Sequence, residues 1–156
     1  MSIHHKIVEA FAESILAKVC LIRESNLPER EKQRVMESIS DDIKKFTDCV
    51  APRVSVAAHE EATKRHVKLS GMGWHDQPQF DKGRKLFHRE HLIPVGAIRD
   101  KCLKADSISY ITEALNSATV AWILKSEDRQ LTKLGFRSNR PDPALAYQKA
   151  GILLMT

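Results

Sequence analysis

Three absences bound this chain. No segment of its 156 residues approaches the ~18 consecutive apolar residues that a membrane-crossing helix needs, so it reads as a soluble protein with no membrane partner. Cysteine is scarce. Cys20, Cys49 and Cys102 are odd in number, widely spaced and set among apolar neighbours, which argues against a disulfide framework or a zinc knuckle and for buried, reduced thiols in a cytoplasmic protein. No secretion signal is expected either: two histidines, then Glu9 and Glu13, stand within a helical pattern, without the uninterrupted apolar stretch such a signal carries. Internal repeats and low-complexity stretches are absent too.

What is present fits a globular domain. Hydrophobic residues make up 42% and charged residues 29% of the chain, enough to bury a core without staples or metals, and the length predicts a single domain over residues 1–156. A formal net charge of +5 suits a polyanionic partner, although a basic balance alone is also found in proteins that bind none. Its distribution adds direction, since Lys and Arg concentrate over residues 82–104 and 125–140, as a phosphodiester substrate would require.

Ile7, Val8, Phe11, Ile15, Val19 and Ile22 recur at three- and four-residue spacing, predicting an amphipathic helix over residues 3–23. Pro28 fits the first turn of a second helix, whose stripe is Val35, Met36, Ile39, Ile43, Phe46 and Val50. A third is expected over residues 54–69. It carries His59 and His66, which lack a third ligand at helical spacing and read as packed or hydrated rather than metal-bound. These make a helical region over residues 1–69. Gly71, Gly73 and Pro78 then break the pattern into a loop over 70–85. Its Trp74 and His75 are candidates to line a site, or Trp74 plugs the gap between the two halves of the chain.

The chemistry concentrates after that loop. Leu86-Phe87-His88-Arg89-Glu90-His91-Leu92-Ile93-Pro94 sets an acid beside an imidazole at the end of an apolar run: a carboxylate suits a hard cation and a neutral imidazole accepts a proton from water. Two short helices follow over 95–104 and 107–115, then a strand over 119–124 rich in β-branched and aromatic residues. Ser126 is the expected N-cap of the next helix, with Glu127 and Asp128 in its first turn and Gly135 at its end. A last short helix runs from Asp142-Pro143 to Ala150, stopped by Gly151.

Glu90-His91-Leu92-Ile93-Pro94, the later Asn116, and a strand ending Ile123-Leu124-Lys125-Ser126 that opens an acid-rich helix together resemble the ββα-metal finger of HNH endonucleases, in particular the HNH module of CRISPR effectors. The resemblance covers residues 86–136 and implies an α+β, mostly helical fold: an N-terminal helical region, then a ββα-metal finger with a helical insertion between its strands, then a C-terminal helix and tail over 137–156. It departs from the family in having Glu at the first ligand position, Asp at the last, and that insertion.

Carried onto this chain, the resemblance implies His91 as the general base and Asn116 as the residue that orients it. Glu90 and Asp128 become the ligands of one divalent cation, with Glu127 as a rival to Asp128. Two carboxylates imply Mg²⁺ or Mn²⁺. Lys125, Arg129, Lys133, Arg137 and Arg140 become the phosphate grip, and the implied activity is hydrolysis of DNA, most readily double-stranded. Separately, the apolar N-terminal helices would suit either a homodimer or a cover over the finger. The competing expectation is a non-catalytic basic helical module that binds DNA or a protein. Only the nuclease requires Glu90 and Asp128 to converge.

Overall fold

The computed structural model describes residues 3–156. It is an α+β structure, mostly helical, with one small sheet of β1 (Arg53–Val54), β2 (Phe87–His91) and β3 (Val120–Leu124) in the order β1-β3-β2. Contacts divide the chain into two compact units, and the division is not the sequential one. Residues 95–118 join residues 1–49 in the first unit, while residues 50–94 and 119–156 form the second.

In the first unit, α1 (Ile3–Glu24) packs on α2 (Glu29–Thr47) and on α6 (Ile108–Asn116), and α2 packs on α5 (Val95–Cys102). The expected stripes are the ones that turn inward: Val8, Ala12, Ile15 and Val19 of α1 and Ile39, Ile43 and Phe46 of α2 are buried, at the spacing that keeps one helix face apolar. Arg23 fastens the end of α1 to the turn after α5, donating to the carbonyl of Ala105 at 2.6 Å. The helical insertion thus completes a bundle with the N-terminal helices. It does so because α5 and α6 carry their own apolar faces, with Ile98, Cys102, Ile111 and Leu115 buried. Of the three thiols, only Cys102 is buried, and burial pushes it up to about 11. Cys20 is half-buried and Cys49, beyond the last turn of α2, is exposed, so the expectation of three buried thiols fails at two of them.

The second unit is built on the sheet. β2 (Phe87–His91) runs antiparallel to β3 (Val120–Leu124), with Glu90 opposite Ala121 and His88 opposite Ile123, and the two-residue β1 (Arg53–Val54) lies parallel on the other side of β3. Because side chains alternate along a strand, β3 feeds two cores. Trp122, with Phe87 and Val54, faces α3 (Val56–Lys64) and Leu69, while Ala121 and Ile123 face Leu131, Ala146, Tyr147 and Ile152. β3 is buried on both sides, which explains its unbroken apolar sequence.

β1 and a shorter α3 replace the single helix expected over 54–69. Ser55 decides this: its Oγ accepts from the backbone N–H of Ala58 at 3.1 Å, which starts the helix at Val56 and leaves Arg53 and Val54 free to pair with β3. The segment before β2 holds one four-residue helix, α4 (Gln77–Phe80), and is tied by Asp81. One carboxylate takes the N–H groups of Lys85, Leu86 and Phe87, and Gln77 bridges Asp81 to the Phe87 carbonyl at 2.7 Å. This network sets the direction in which β2 leaves the loop. Trp74, offered as a plug, is instead 46% exposed, with the Arg84 guanidinium stacked 3.5 Å from its ring centre. The buried tryptophan is Trp122, whose indole N–H donates to the Met72 carbonyl.

Directly after β3 the chain enters α7 (Lys125–Lys133). The helix starts one residue before the expected cap Ser126. Its leading N–H, that of Leu124, is satisfied by the Glu127 carboxylate at 2.8 Å, and Ser55 Oγ donates to the same oxygen at 2.7 Å. Gly135 ends the helix as expected, at φ +81°. This left-handed residue lets Phe136 N–H reach back to the Leu131 carbonyl and Gly135 N–H to that of Thr132, closing the last turn. α8 (Pro143–Lys149) is capped by Asp142, and Gly151, at φ +72°, turns Ile152 back into the core.

Candidate metal centre

His88 and Glu90 are two apart on β2 and therefore share a face of the sheet, the face against which α7 packs through Leu131. Asp128, in the first turn of α7, lies one helical turn ahead of Leu131 and is brought to the same edge. His88 Nε2 is 2.9 Å from Glu90 Oε2 and 3.8 Å from Asp128 Oδ1. One ligand atom from each of the three residues lies within 4.8 Å of the others, the one group of three such side chains found among the described residues. His59 and His66 acquire no third partner of this kind.

Four donors of Arg140 hold this corner together. Its guanidinium is 1% exposed and donates to Glu90 Oε1 at 2.7 Å, to the carbonyls of His91 and Leu92 at 2.8 and 3.1 Å, and through Nε to the Phe136 carbonyl at 3.0 Å. Arg140, expected in the phosphate grip, is instead spent on these acceptors as a structural strut between the end of β2 and the end of α7. Burial alone would raise the Glu90 carboxyl. The hydrogen bonds and charges of His88 and Arg140 outweigh it and hold the group below its ordinary value.

His88 is shifted the other way. Its hydrogen bond to Glu90 raises it above the usual histidine range against the effect of burial, with the charges of Asp128 and Glu90 adding to the rise and Lys125 opposing it. The imidazole thus sits against two carboxylates, an arrangement that favours a positive charge there, whether a proton on the ring or a cation among the three groups. Ligand atoms around a cation at ~2.0–2.2 Å are at most ~4.4 Å apart, so separations within 4.8 Å are of the size a divalent ion needs. Arg140 already uses Glu90 Oε1, which leaves Oε2 to coordinate. The donor set is one imidazole and two carboxylates rather than carboxylates alone.

A pH dependence follows for the metal-free protein. Since the folded His88 lies above its ordinary 6.5, its contribution to stability is complete below that pH and is lost as pH rises through the folded value. Glu90, held below 4.5, contributes fully above that pH and loses its contribution on acidification through its folded value. In EDTA, stability from this pair is therefore greatest between the two. Urea unfolding at pH 6 and pH 9 is expected to show a loss at the higher pH that His88→Gln abolishes, and an equal loss in that variant would detach the slope from His88.

The other expected site residues fall as follows. His91, the last residue of β2, alternates onto the face of Phe87 and Arg89, away from Glu90, and is not part of the trio. Asn116 is exposed at the end of α6, in the first unit. Glu127 is committed to capping α7 and to Ser55, which removes it as the rival ligand. Lys125, Arg129 and Lys133 lie four apart on α7 and form one stripe, half-buried at Lys125 beside the trio and exposed beyond it; Arg137 is exposed after the helix. His88 was missed, although its period-two spacing from Glu90 was a readable signal.

The chain matches no protein-family model, no curated protein and no solved structure. Among the described residues, no helix is long and apolar enough to cross a membrane.

Proposed function

We propose that this protein is a divalent-cation-dependent phosphodiester hydrolase, a nuclease of the HNH type acting on DNA. The observation that carries the reading is the convergence of Glu90 with Asp128, residues that no local geometry joins and that a basic binding module has no need to bring together. The antiparallel pair β2 and β3 running into α7 supports the ββα reading of residues 86–136. His88, Glu90 and Asp128 would hold the ion. An imidazole beside two carboxylates favours Mn²⁺ or Zn²⁺ over Mg²⁺, which prefers oxygen ligands only.

Bound there, the ion would supply Lewis-acid stabilisation of the charge that develops on the phosphate and the leaving oxygen. The chain's own groups do the rest. Arg140 fixes the orientation of Glu90. The Lys125, Arg129 and Lys133 stripe, continued by Arg137, offers positive charge along which a phosphate backbone can lie. His91, the general base that the resemblance implies, ends β2 on the face opposite Glu90, so its role as proton acceptor rests on the resemblance alone.

The test is cleavage of plasmid, single-stranded DNA and RNA in EDTA, Mg²⁺, Mn²⁺ and Zn²⁺. Cleavage is expected with Mn²⁺ and none with EDTA. His91→Ala is expected to lower the rate by ~10²–10⁴ while leaving Mn²⁺ affinity unchanged. Full cleavage by that variant would remove His91 from the base role, and inactivity of the parent protein on every substrate and cation would leave the non-catalytic binding module.

A further inference from the structure

Tyr147 is 4% exposed, and its hydroxyl is sealed from solvent without a hydrogen-bond partner. Such a group is rare because a buried donor that has given up water without a replacement destabilises the fold. Its setting suggests what the partner is. Tyr147 packs with Ala121 and Ile123, the residues opposite Glu90 and His88 across the strand pair, so the phenol lies on the sheet face that carries the trio. The Arg140 guanidinium, 5.7 Å from the Tyr147 ring centre, is the group that holds Glu90 Oε1. The ring also borders a cavity of about 590 Å³ with Leu92, Thr119 and Gln148, while the buried hydroxyl finds no protein partner.

We propose that Tyr147 is a positioning residue of the cation site, its hydroxyl donating to a water or carboxylate oxygen in the shell of the bound ion and so gaining the partner it lacks. Burial, and after it the charge of Glu90, push the phenol far above its ordinary range, so the group stays a neutral donor at any working pH. The inference rests on the metal reading of His88, Glu90 and Asp128, and extends it by a residue from α8 that touches none of the sequence motifs.

The experiment compares the parent with Tyr147→Phe, which deletes one oxygen and keeps the ring. Melting temperature is measured in EDTA and Mn²⁺ affinity by titration calorimetry. The expected result is a pair of opposite effects: in EDTA the variant melts at or above the parent, since an unsatisfied hydroxyl has gone, while its dissociation constant for Mn²⁺ rises by ~10-fold or more. A purely structural tyrosine would not split the two. Equal Mn²⁺ affinity, or a lower melting temperature in EDTA, overturns the assignment. A parent that binds neither Mn²⁺ nor Zn²⁺ overturns the metal site itself, an outcome distinct from a parent that binds and a variant that binds equally well.

Discussion

Arg140→Ala is expected to lower the free energy of unfolding by about 3–5 kcal/mol, the range for removing one partner of a buried ion pair and leaving the other charge without compensation. Glu90, whose side chain is 12% exposed, would keep its desolvation and lose its strongest cation. Three carbonyls, those of His91, Leu92 and Phe136, would lose their donor in the same step. Arg140→Lys recovers little, because a single ammonium cannot span carbonyls on two elements and a carboxylate at once. The pH profile carries a second signature. With Arg140 absent, burial raises the Glu90 carboxyl with less to oppose it, so the stability that Glu90 contributes above its folded value is lost at a higher pH and acid unfolding begins earlier. Urea unfolding of Arg140→Ala, Glu90→Gln and the double variant measures this as a cycle. A loss below about 1 kcal/mol in the single arginine variant, a value typical of an exposed pair, would show that the strut carries no weight.

That strut marks the limit of what the sequence allowed. Arg140 stands in a basic stretch and reads as one more phosphate ligand, because nothing local distinguishes a buried arginine from an exposed one. Its burial is decided by two carbonyls at the end of β2, far away in the chain. The helices α1 and α2 and the closing glycines were legible for the opposite reason: periodicity and a required left-handed residue are local properties. β1 was not, since two residues give no period, and Val54 fits a helical stripe as well as it fits a strand. The pairing of α5 and α6 with the N-terminal helices left no mark either, because an amphipathic helix announces that it has a buried face and not what covers it. At the site itself alternation is what sequence adjacency hides: Glu90 and His91 are neighbours in sequence, whereas a strand sends neighbours to opposite faces and joins Glu90 with His88. Asp128 lies with Glu90 in one cluster, since a first-turn acid on a helix that follows a paired strand has few places to go.

Asp128→Ala tests that convergence most directly, and its effect on the proposed activity should be the largest of any single change. Removing one of three ligands leaves His88 and Glu90, too few to compete with water for a divalent ion, so Mn²⁺ affinity should fall by more than the ~100-fold that loss of an outer-shell partner can produce, and cleavage with it. The fold should survive. Asp128 Oδ1 is 3.8 Å from His88 and the side chain is 33% exposed, so the metal-free protein loses a partly screened attraction and no buried bond. His88, raised in part by the charge of Asp128, should titrate at a lower pH in the variant, which NMR of the imidazole protons reads without any metal present. Glu127→Ala is the contrasting change: it removes the cap of α7 and the partner of Ser55, and should reduce stability by ~1–2 kcal/mol while leaving Mn²⁺ affinity near that of the parent. If instead Asp128→Ala binds Mn²⁺ as the parent does, the carboxylate is an ordinary first-turn acid favoured by the helix dipole, and the hydrolase reading loses the observation that supports it.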